Sequence, residues 1–449
     1  MTAKSELMSR IGAFIADINR RPLDATVSRY TRRAIIDWFS CELPGIREAP
    51  ATLLMETLAD ELDVGPCSLP GTGRRALPRA AALITGTASH IVEFDDIFRD
   101  GTYHPGCPVV AAVLAAAEAR GKGGAAILKG VAAGYEVSTR ISAAIQPAHA
   151  RHWHTTGTVG CFGAAAGVAA LIGLDVTKAM HAVSTVGTFT ASLQQAFMSE
   201  SMSKPMHAGR AAEAGLLAAF AAEKGVTGAF DILEGPSGFG AATADGGRWH
   251  GAMDDLGQSW NIMRMTVKNH GCCGHSFPAI DGALALQAEH GLTPADIKAI
   301  RIGGYEPTVK LCGSVVEPRS SFEGKFSVRY CVAHALVYGS VRLDAYDGDH
   351  LANPDVLRIA RATDVAVDAE AAAAFPKRRS ALVTIETMDG RRLERRQLTR
   401  KGDPDAPLSD EEVSAKFLEL AAPVIGEAEA ARLLERLWSL DGEAMPLAA

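Results

Sequence analysis

The sequence predicts a mainly helical protein with a smaller α+β part, and three observations carry that prediction. Over roughly the first 260 residues, apolar positions recur at helical spacing in Ala-rich stretches punctuated by Gly. Near residue 292 the texture changes to period-2 alternation, clearest on either side of Asp389-Gly390. From Ser409 the helical pattern resumes. The resulting division assigns residues 1–265 and 403–449 to one large helical domain. Residues 266–402 form an α/β domain inserted before the C-terminal helices.

The elements follow in order. Leu7, Ile11, Phe14, Ile15 and Ile18 mark a first amphipathic helix. Residues 26–41 carry a second, broken by Pro44-Gly45. Stretches 108–120, 124–145, 160–172, 176–195 and 208–224 read as packed helices separated by Gly, Pro or Asp. In the inserted part, 296–302 approximates a strand, 326–338 and 354–362 read as helices, and 364–368 offers a further short strand. Residues 380–398 read as a hairpin, because Asp-Gly supplies the positive φ that a two-residue turn needs. Ser409 and Glu412 form a capping box that starts the closing helices, which run through 439.

Composition excludes several classes. Apolar residues at 47% and charged residues at 22% suit a globular chain and rule out a disordered, collagenous or coiled-coil one. A formal charge of −7 gives no electrostatic footprint for nucleic acid. No address or membrane anchor is expected: the N-terminal stretch is charged throughout, and the run from Thr158 to Leu174 is Gly-broken and short for a span. The eight cysteines contain no C-x-x-C pair, and Cys272 and Cys273 are adjacent, so reduced thiols in a cytoplasmic protein are expected.

Four clusters offer chemistry. His90, Glu93, Asp95, Asp96, Arg99 and His104 lie within one short stretch that ends at a Pro-Gly turn. His152-Trp-His154-Thr-Thr reads as a helix N-terminus capped by Thr155 or Thr156, with free N–H groups suited to an anion. Lys204-Pro-Met-His207 enters a helix. Lys268, His270 and His275 sit among small residues where the texture changes. No nucleotide fingerprint, P-loop or G-x-S-x-G elbow is present, and His152-x-His154 lacks a third ligand motif, so no metal is expected. Lysines with histidines suit an anionic substrate whose carbanion or enolate must be stabilised.

Taken in order, these blocks resemble the MmgE/PrpD family. They are Ala88 to Asp96 followed by His104-Pro105, His154 to Gly160, Lys204 to Gly209, Gly225 to Gly228, Lys268 with Cys272 to His275, and Phe326 to Tyr330. The family includes 2-methylcitrate dehydratase, cis-aconitate decarboxylase and iminodisuccinate epimerase. The resemblance implies a helical domain built from both ends of the chain, an α/β lid, a homodimer, and cofactor-free chemistry on small di- or tricarboxylates. Carried over by position, the implied site between the domains holds His104, His154, Lys204, Lys268 and Tyr330, with His275 beside them. Asp96 and Arg99 join Tyr330 as substrate-binding candidates. Glu93 stands where the family usually has Asp, Ile97 where it has Thr or Ser, and Phe277 where some relatives carry a second histidine.

The expected activity is a lyase of dehydratase type that removes a proton next to a carboxylate. Lys204 and Lys268 would hold carboxylates and His104 would transfer the proton. His154 and His275 would supply the complementary acid, and Glu93 would orient a histidine or compete as base. Alternatives are an epimerase of an iminodisuccinate-like acid, a decarboxylase of a cis-aconitate-like acid, a binding homologue without turnover, and a metal hydrolase. No nucleic-acid or membrane partner is expected.

Overall fold

The computed structural model describes residues 5–20, 22–197 and 201–441. The fold is mainly helical with small sheets, and the chain divides into two compact units. One takes in the chain up to Thr266 together with Ser409 onward, and the other spans Val267–Leu408.

The first unit is organised around the Thr155–Ile172 helix. By length and composition alone this helix is apolar enough to cross a membrane, but 94% of its window is buried inside the unit. It packs against Gly124–Ile145, Ser203–Glu223 and Gly106–Arg120, whose Ala- and Gly-rich faces let helix axes approach closely. The same packing joins Ser203–Glu223 to Pro78–Ile91. At Gly209 an added Cβ would lie 2.1 Å from the Leu83 carbonyl oxygen, so only glycine permits that crossing. This contact brings the C-terminal end of Pro78–Ile91 and the start of Ser203–Glu223 into one region.

Three sequence expectations are corrected in this unit. The second helix runs Ala25–Gly45 through Pro44, because a proline in the last turn forfeits only one ladder bond. The helix expected over 176–195 ends at Val186; beyond it Leu193 bridges Trp153 and the Ser192 carbonyl accepts from His154 N at 3.0 Å, which calls for extended backbone. A small antiparallel pair, β1 (Leu62–Leu69) with β2 (Arg74–Ala76), has no counterpart in the sequence reading. Its register slips between Leu62 and Cys67, so no regular alternation marks it.

After Ser409, the helices Asp410–Ile425 and Glu427–Trp438 pack on Ala25–Gly45. The capping box forms as expected: Glu412 N donates to Ser409 Oγ at 3.2 Å and Ser409 N donates to Glu412 Oε2 at 2.9 Å.

The second unit carries a four-stranded sheet in the order β4-β3-β5-β6, with β3 Ile297–Gly304, β4 Thr363–Val367, β5 Ala381–Thr387 and β6 Arg392–Gln397. β3 runs parallel to β4 and antiparallel to β5, and the β5–β6 hairpin pairs Glu386 with Arg392 across the Asp389-Gly390 turn. Ile300, Ile302, Val383 and Ile385 bury one sheet face in a core shared with Phe277, Ile280, Val332 and Ile359 from the flanking helices.

Candidate active site

The centre of the first unit's site is the loop after Pro78–Ile91. His90 ends the helix fully buried, and the chain then turns at Glu93, which has a left-handed φ of 59°. Lys416, from Asp410–Ile425, holds this loop from beneath. Its ammonium donates to the Phe94 carbonyl at 2.8 Å and to Asp37 Oδ1 at 2.6 Å, and lies 4.2 Å from the Phe94 ring centre. Ile97 pairs with Thr266 through two backbone bonds of 2.9 and 2.8 Å.

The two aspartates of the loop serve different ends. Asp95 Oδ2 lies 2.7 Å from His90 Nδ1, 2.9 Å from His104 Nδ1 and 3.1 Å from Cys107 Sγ. A carboxylate only accepts, so the His90 bond places that ring's proton on Nδ1, while His104 Nδ1 stands at ion-pair distance from the same oxygen without an aligned hydrogen bond. Asp96 instead accepts from Tyr135 OH at 2.8 Å and from Gly106 N at 3.1 Å. An added Cβ at Gly106 would lie 2.9 Å from Asp96 Oδ1, so glycine makes room for this carboxyl. Burial, with nearby Asp37, pushes the Asp96 carboxyl up to about 7.

Imidazoles line up from this hub. The His90 ring is 5.0 Å from that of His104 and stacks on that of His154 at 5.6 Å. His154 Nδ1 then meets His207 Nδ1 at 3.0 Å. Burial pushes His90 and His207 down to about 4, and burial with the neighbouring rings holds His154 well below the usual range. His104 differs in keeping 18% of its side chain exposed.

Lys204 sits in the first turn of Ser203–Glu223, where a cation opposes the helix dipole. Its ammonium is buried in an ion pair with Glu93. Backbone strain gathers around the group: Glu93, Thr102 and Ser192, with φ of 59°, 47° and 109°, are non-glycine residues in the left-handed region.

The threonine cap expected at 155 or 156 is not made. His154 occupies the N-cap position without a side-chain cap bond. Thr155 Oγ1 accepts from Gln146 Nε2 at 2.9 Å and Thr156 Oγ1 accepts from His104 N at 3.3 Å, so both hydroxyls hold neighbouring loops instead.

Of the sequence candidates, Glu93, Asp96, His104, His154 and Lys204 thus come together in the first unit. Arg99 lies half-buried on the Arg99–Gly101 turn. The second unit holds the rest. Lys268 is buried there. His275 Nδ1 lies 2.9 Å from Tyr305 OH, and burial with Arg379 and Arg400 pushes its ring down to about 3. Tyr330 is fully buried, and its hydroxyl donates to the Ala345 carbonyl.

His90, Asp95 and His207 stood in the clusters read from sequence but were given no role, and Cys107 was in none of them. His207 was within reach of sequence reasoning, since it follows Lys204 by three residues on one helix and shares its face. Cys107 carried no signal, because an isolated buried cysteine ordinarily reads as packing.

Comparison with known proteins gives two family matches. The MmgE/PrpD N-terminal domain matches residues 9–252 and the MmgE/PrpD C-terminal domain matches residues 270–440. Among curated proteins, the cis-aconitate decarboxylase-like protein oryM of Aspergillus oryzae is 26% identical, over 99% of this chain and 96% of its own length. The cis-aconitate decarboxylase of Aspergillus terreus is 25% identical over 98% and 94%, and that of Mus musculus is 28% identical over 76% and 72%.

Proposed function

The chain belongs to the MmgE/PrpD family, and from that premise we propose that it is a lyase acting on a small di- or tricarboxylate by proton transfer next to a carboxylate. The observation that carries this reading is His104. It is the partly open member of a buried group, with the Asp95 carboxylate 2.9 Å from its Nδ1. Asp95 stabilises the imidazolium formed when the ring takes up a proton. Lys204 supplies the compact positive charge that a substrate carboxylate, or the enolate formed from it, requires.

Decarboxylation is the first reaction to test, because the curated relatives named above are cis-aconitate decarboxylases or resemble one. In it the C–CO2 bond breaks, its electron pair shifts the double bond, and His104 protonates the carbon next to the remaining carboxylate. Dehydration is the second reading: His104 removes the same kind of proton and a β-hydroxyl leaves as water. Glu93 and Ile97, which depart from the family pattern in size and polarity, are the reason the panel is not confined to cis-aconitate or methylcitrate. Homodimeric assembly, cytoplasmic residence and cofactor-free turnover belong to the same proposal.

The experiment is a panel of cis-aconitate and hydroxy-polycarboxylates incubated with the purified chain in deuterated water and followed by NMR. Decarboxylation incorporates one solvent deuteron into the product, and dehydration creates a new alkene. His104→Gln lowers kcat by about 10²-fold or more. Neither product nor carbon-bound deuterium across the panel, from a folded protein, would refute the proposal.

A further inference from the structure

The only ligand-like spacing in the sequence, His152-x-His154, lacks a third donor. The fold assembles a different set within the first unit. His90 lies in the last turn of Pro78–Ile91, Asp95 on the loop that follows, and Cys107 in the first turn of Gly106–Arg120. A nitrogen, an oxygen and a sulfur donor thus meet from three segments. His90 Nδ1 is 2.7 Å from Asp95 Oδ2, Cys107 Sγ is 3.1 Å from the same oxygen, and Sγ is 3.8 Å from Nδ1. These residues are 1%, 2% and 0% exposed in chain order, so a charge placed among them must be balanced from within.

Three such donors in a triangle fit a divalent transition ion. At zinc bond lengths of about 2.0–2.3 Å, tetrahedral donors stand about 3.3–3.7 Å apart, so the triangle needs to open on its two short sides by only about 0.5 Å. The donor types decide which ion. Magnesium and calcium demand oxygens, whereas imidazole with thiolate suits zinc, cobalt or copper. Charge balances as well: the Asp95 carboxylate and a Cys107 thiolate cancel a doubly charged ion, and the filled centre is neutral.

We propose that His90, Asp95 and Cys107 form a zinc-binding site that turns the candidate active site off when filled. On binding, Cys107 gives up its proton to solvent and coordinates through Sγ. His90 coordinates through Nδ1, its ring proton passing to Nε2, and Asp95 coordinates through Oδ2. That same oxygen stands 2.9 Å from Nδ1 of the partly exposed His104, which marks the side from which an ion enters. An ion on Oδ2 cancels the negative charge facing His104 and puts a positive one beside that ring, which opposes formation of an imidazolium there. The binding follows from the donors alone. The loss of turnover rests on the role given to His104 above.

The test titrates Co2+, a spectroscopic substitute for Zn2+, into the purified metal-free full chain. One ion per chain is expected, with the intense visible spectrum of four-coordinate cobalt and a near-ultraviolet thiolate-to-cobalt charge-transfer band. Zn2+ is expected to displace it and Mg2+ is not. Cys107→Ser is expected to lose the charge-transfer band, while Cys273→Ser, which removes the half-buried cysteine of the second unit, keeps it. X-ray absorption at the zinc edge of the unaltered chain, which needs no variant to fold, is expected to show one sulfur among nitrogen and oxygen neighbours. On a substrate that the metal-free chain turns over, saturating Zn2+ is expected to lower kcat by about 10²-fold or more, and chelation to restore it. No cobalt spectrum, two or more sulfur neighbours, or a charge-transfer band kept in a folded Cys107→Ser would overturn the site. Full turnover at saturating Zn2+ would overturn its effect on His104. If the metal-free chain turns over no substrate, the reading of function fails, while the cobalt and zinc spectra still decide the site.

Discussion

One carboxylate oxygen, Asp95 Oδ2, faces three donors: the Nδ1 atoms of His90 and His104 and the thiol of Cys107. Replacing Asp95 with Asn puts an amide there, whose nitrogen donates instead of accepting. The His104 ring then loses the negative charge that faces its Nδ1 at 2.9 Å and would stabilise the imidazolium formed in the reaction. In the proposed reaction Asp95 is a positioning residue acting through His104. Asp95→Asn is expected to lower kcat by about 10²-fold, to leave KM nearly unchanged, and to shift the pH profile of kcat. A lower melting temperature with an unaltered pH profile would mean that Asp95 serves packing alone. The His–Asp pairing was only half legible in the sequence: both residues stood in one acidic stretch, but which histidine meets which carboxylate depends on the turn at Glu93, a φ that side-chain identity does not announce.

At the scale of elements, the closing helix Asp410–Ile425 reaches the site through a buried ammonium. Lys416 joins Asp37 of Ala25–Gly45 to the Phe94 carbonyl across a sequence separation of 322 residues. Lys416 and Asp37 side chains are 2% and 1% exposed, so removing Lys416 withdraws from the interior the cation that Asp37 meets at 2.6 Å. Lys416→Met is therefore expected to cost about 3–5 kcal/mol. Lys416→Met combined with Asp37→Leu should recover a good part of that loss, measured by urea unfolding of both variants. Equal destabilisation by the single and double variants would show that packing around the lysine stem, and not the stranded charge, is responsible. The capping box that starts this helix was legible because it is local, spanning Ser409 to Glu412. Its ion pair to Asp37 was not, because nothing within either helix specifies the other.

Across the whole molecule, buried histidines set the response to acid. Burial pushes His90, His149 and His207 down to about 4 and His275 down to about 3. The unfolded chain takes up these protons near pH 6.5 while the folded chain refuses them until about pH 4. In that window the unfolded state binds more protons, so stability falls as pH drops through it. Asp96 runs the other way: its carboxyl is pushed up to about 7, so its contribution is lost as pH rises towards that value. His154 and His334, also lowered by burial, act with the four histidines, while burial raises Glu42, Glu118 and Glu136 as it does Asp96; the histidines outnumber these carboxyls, and the melting temperature is expected to rise from pH 4.5 to 7. His149 lies outside the proposed site, its Nε2 2.8 Å from Thr158 Oγ1. His149→Gln should narrow the difference between the two melting temperatures, and an unchanged difference would remove His149 from this account.

The sequence by itself determined what repeats over short range. Helical periodicity, the Asp-Gly hairpin and the Ser409 box each depend on residues a few positions apart, so their physics is complete within a window of sequence. The blocks that mark the family also preserved Glu93, Asp96, His104, His154 and Lys204 as candidates, because chemistry-bearing residues beside Gly and Pro stand out from a helical background. Tertiary structure decided the rest. The glycine contact at Gly209 sets how closely Ser203–Glu223 approaches Pro78–Ile91, and so places Lys204 against Glu93. The turn after His90 brings Asp95 to two imidazoles and a thiol, and burial gives His90 its depressed proton affinity. Burial and contact depend on which distant faces meet, and that follows from close packing of the whole chain, which no single window contains.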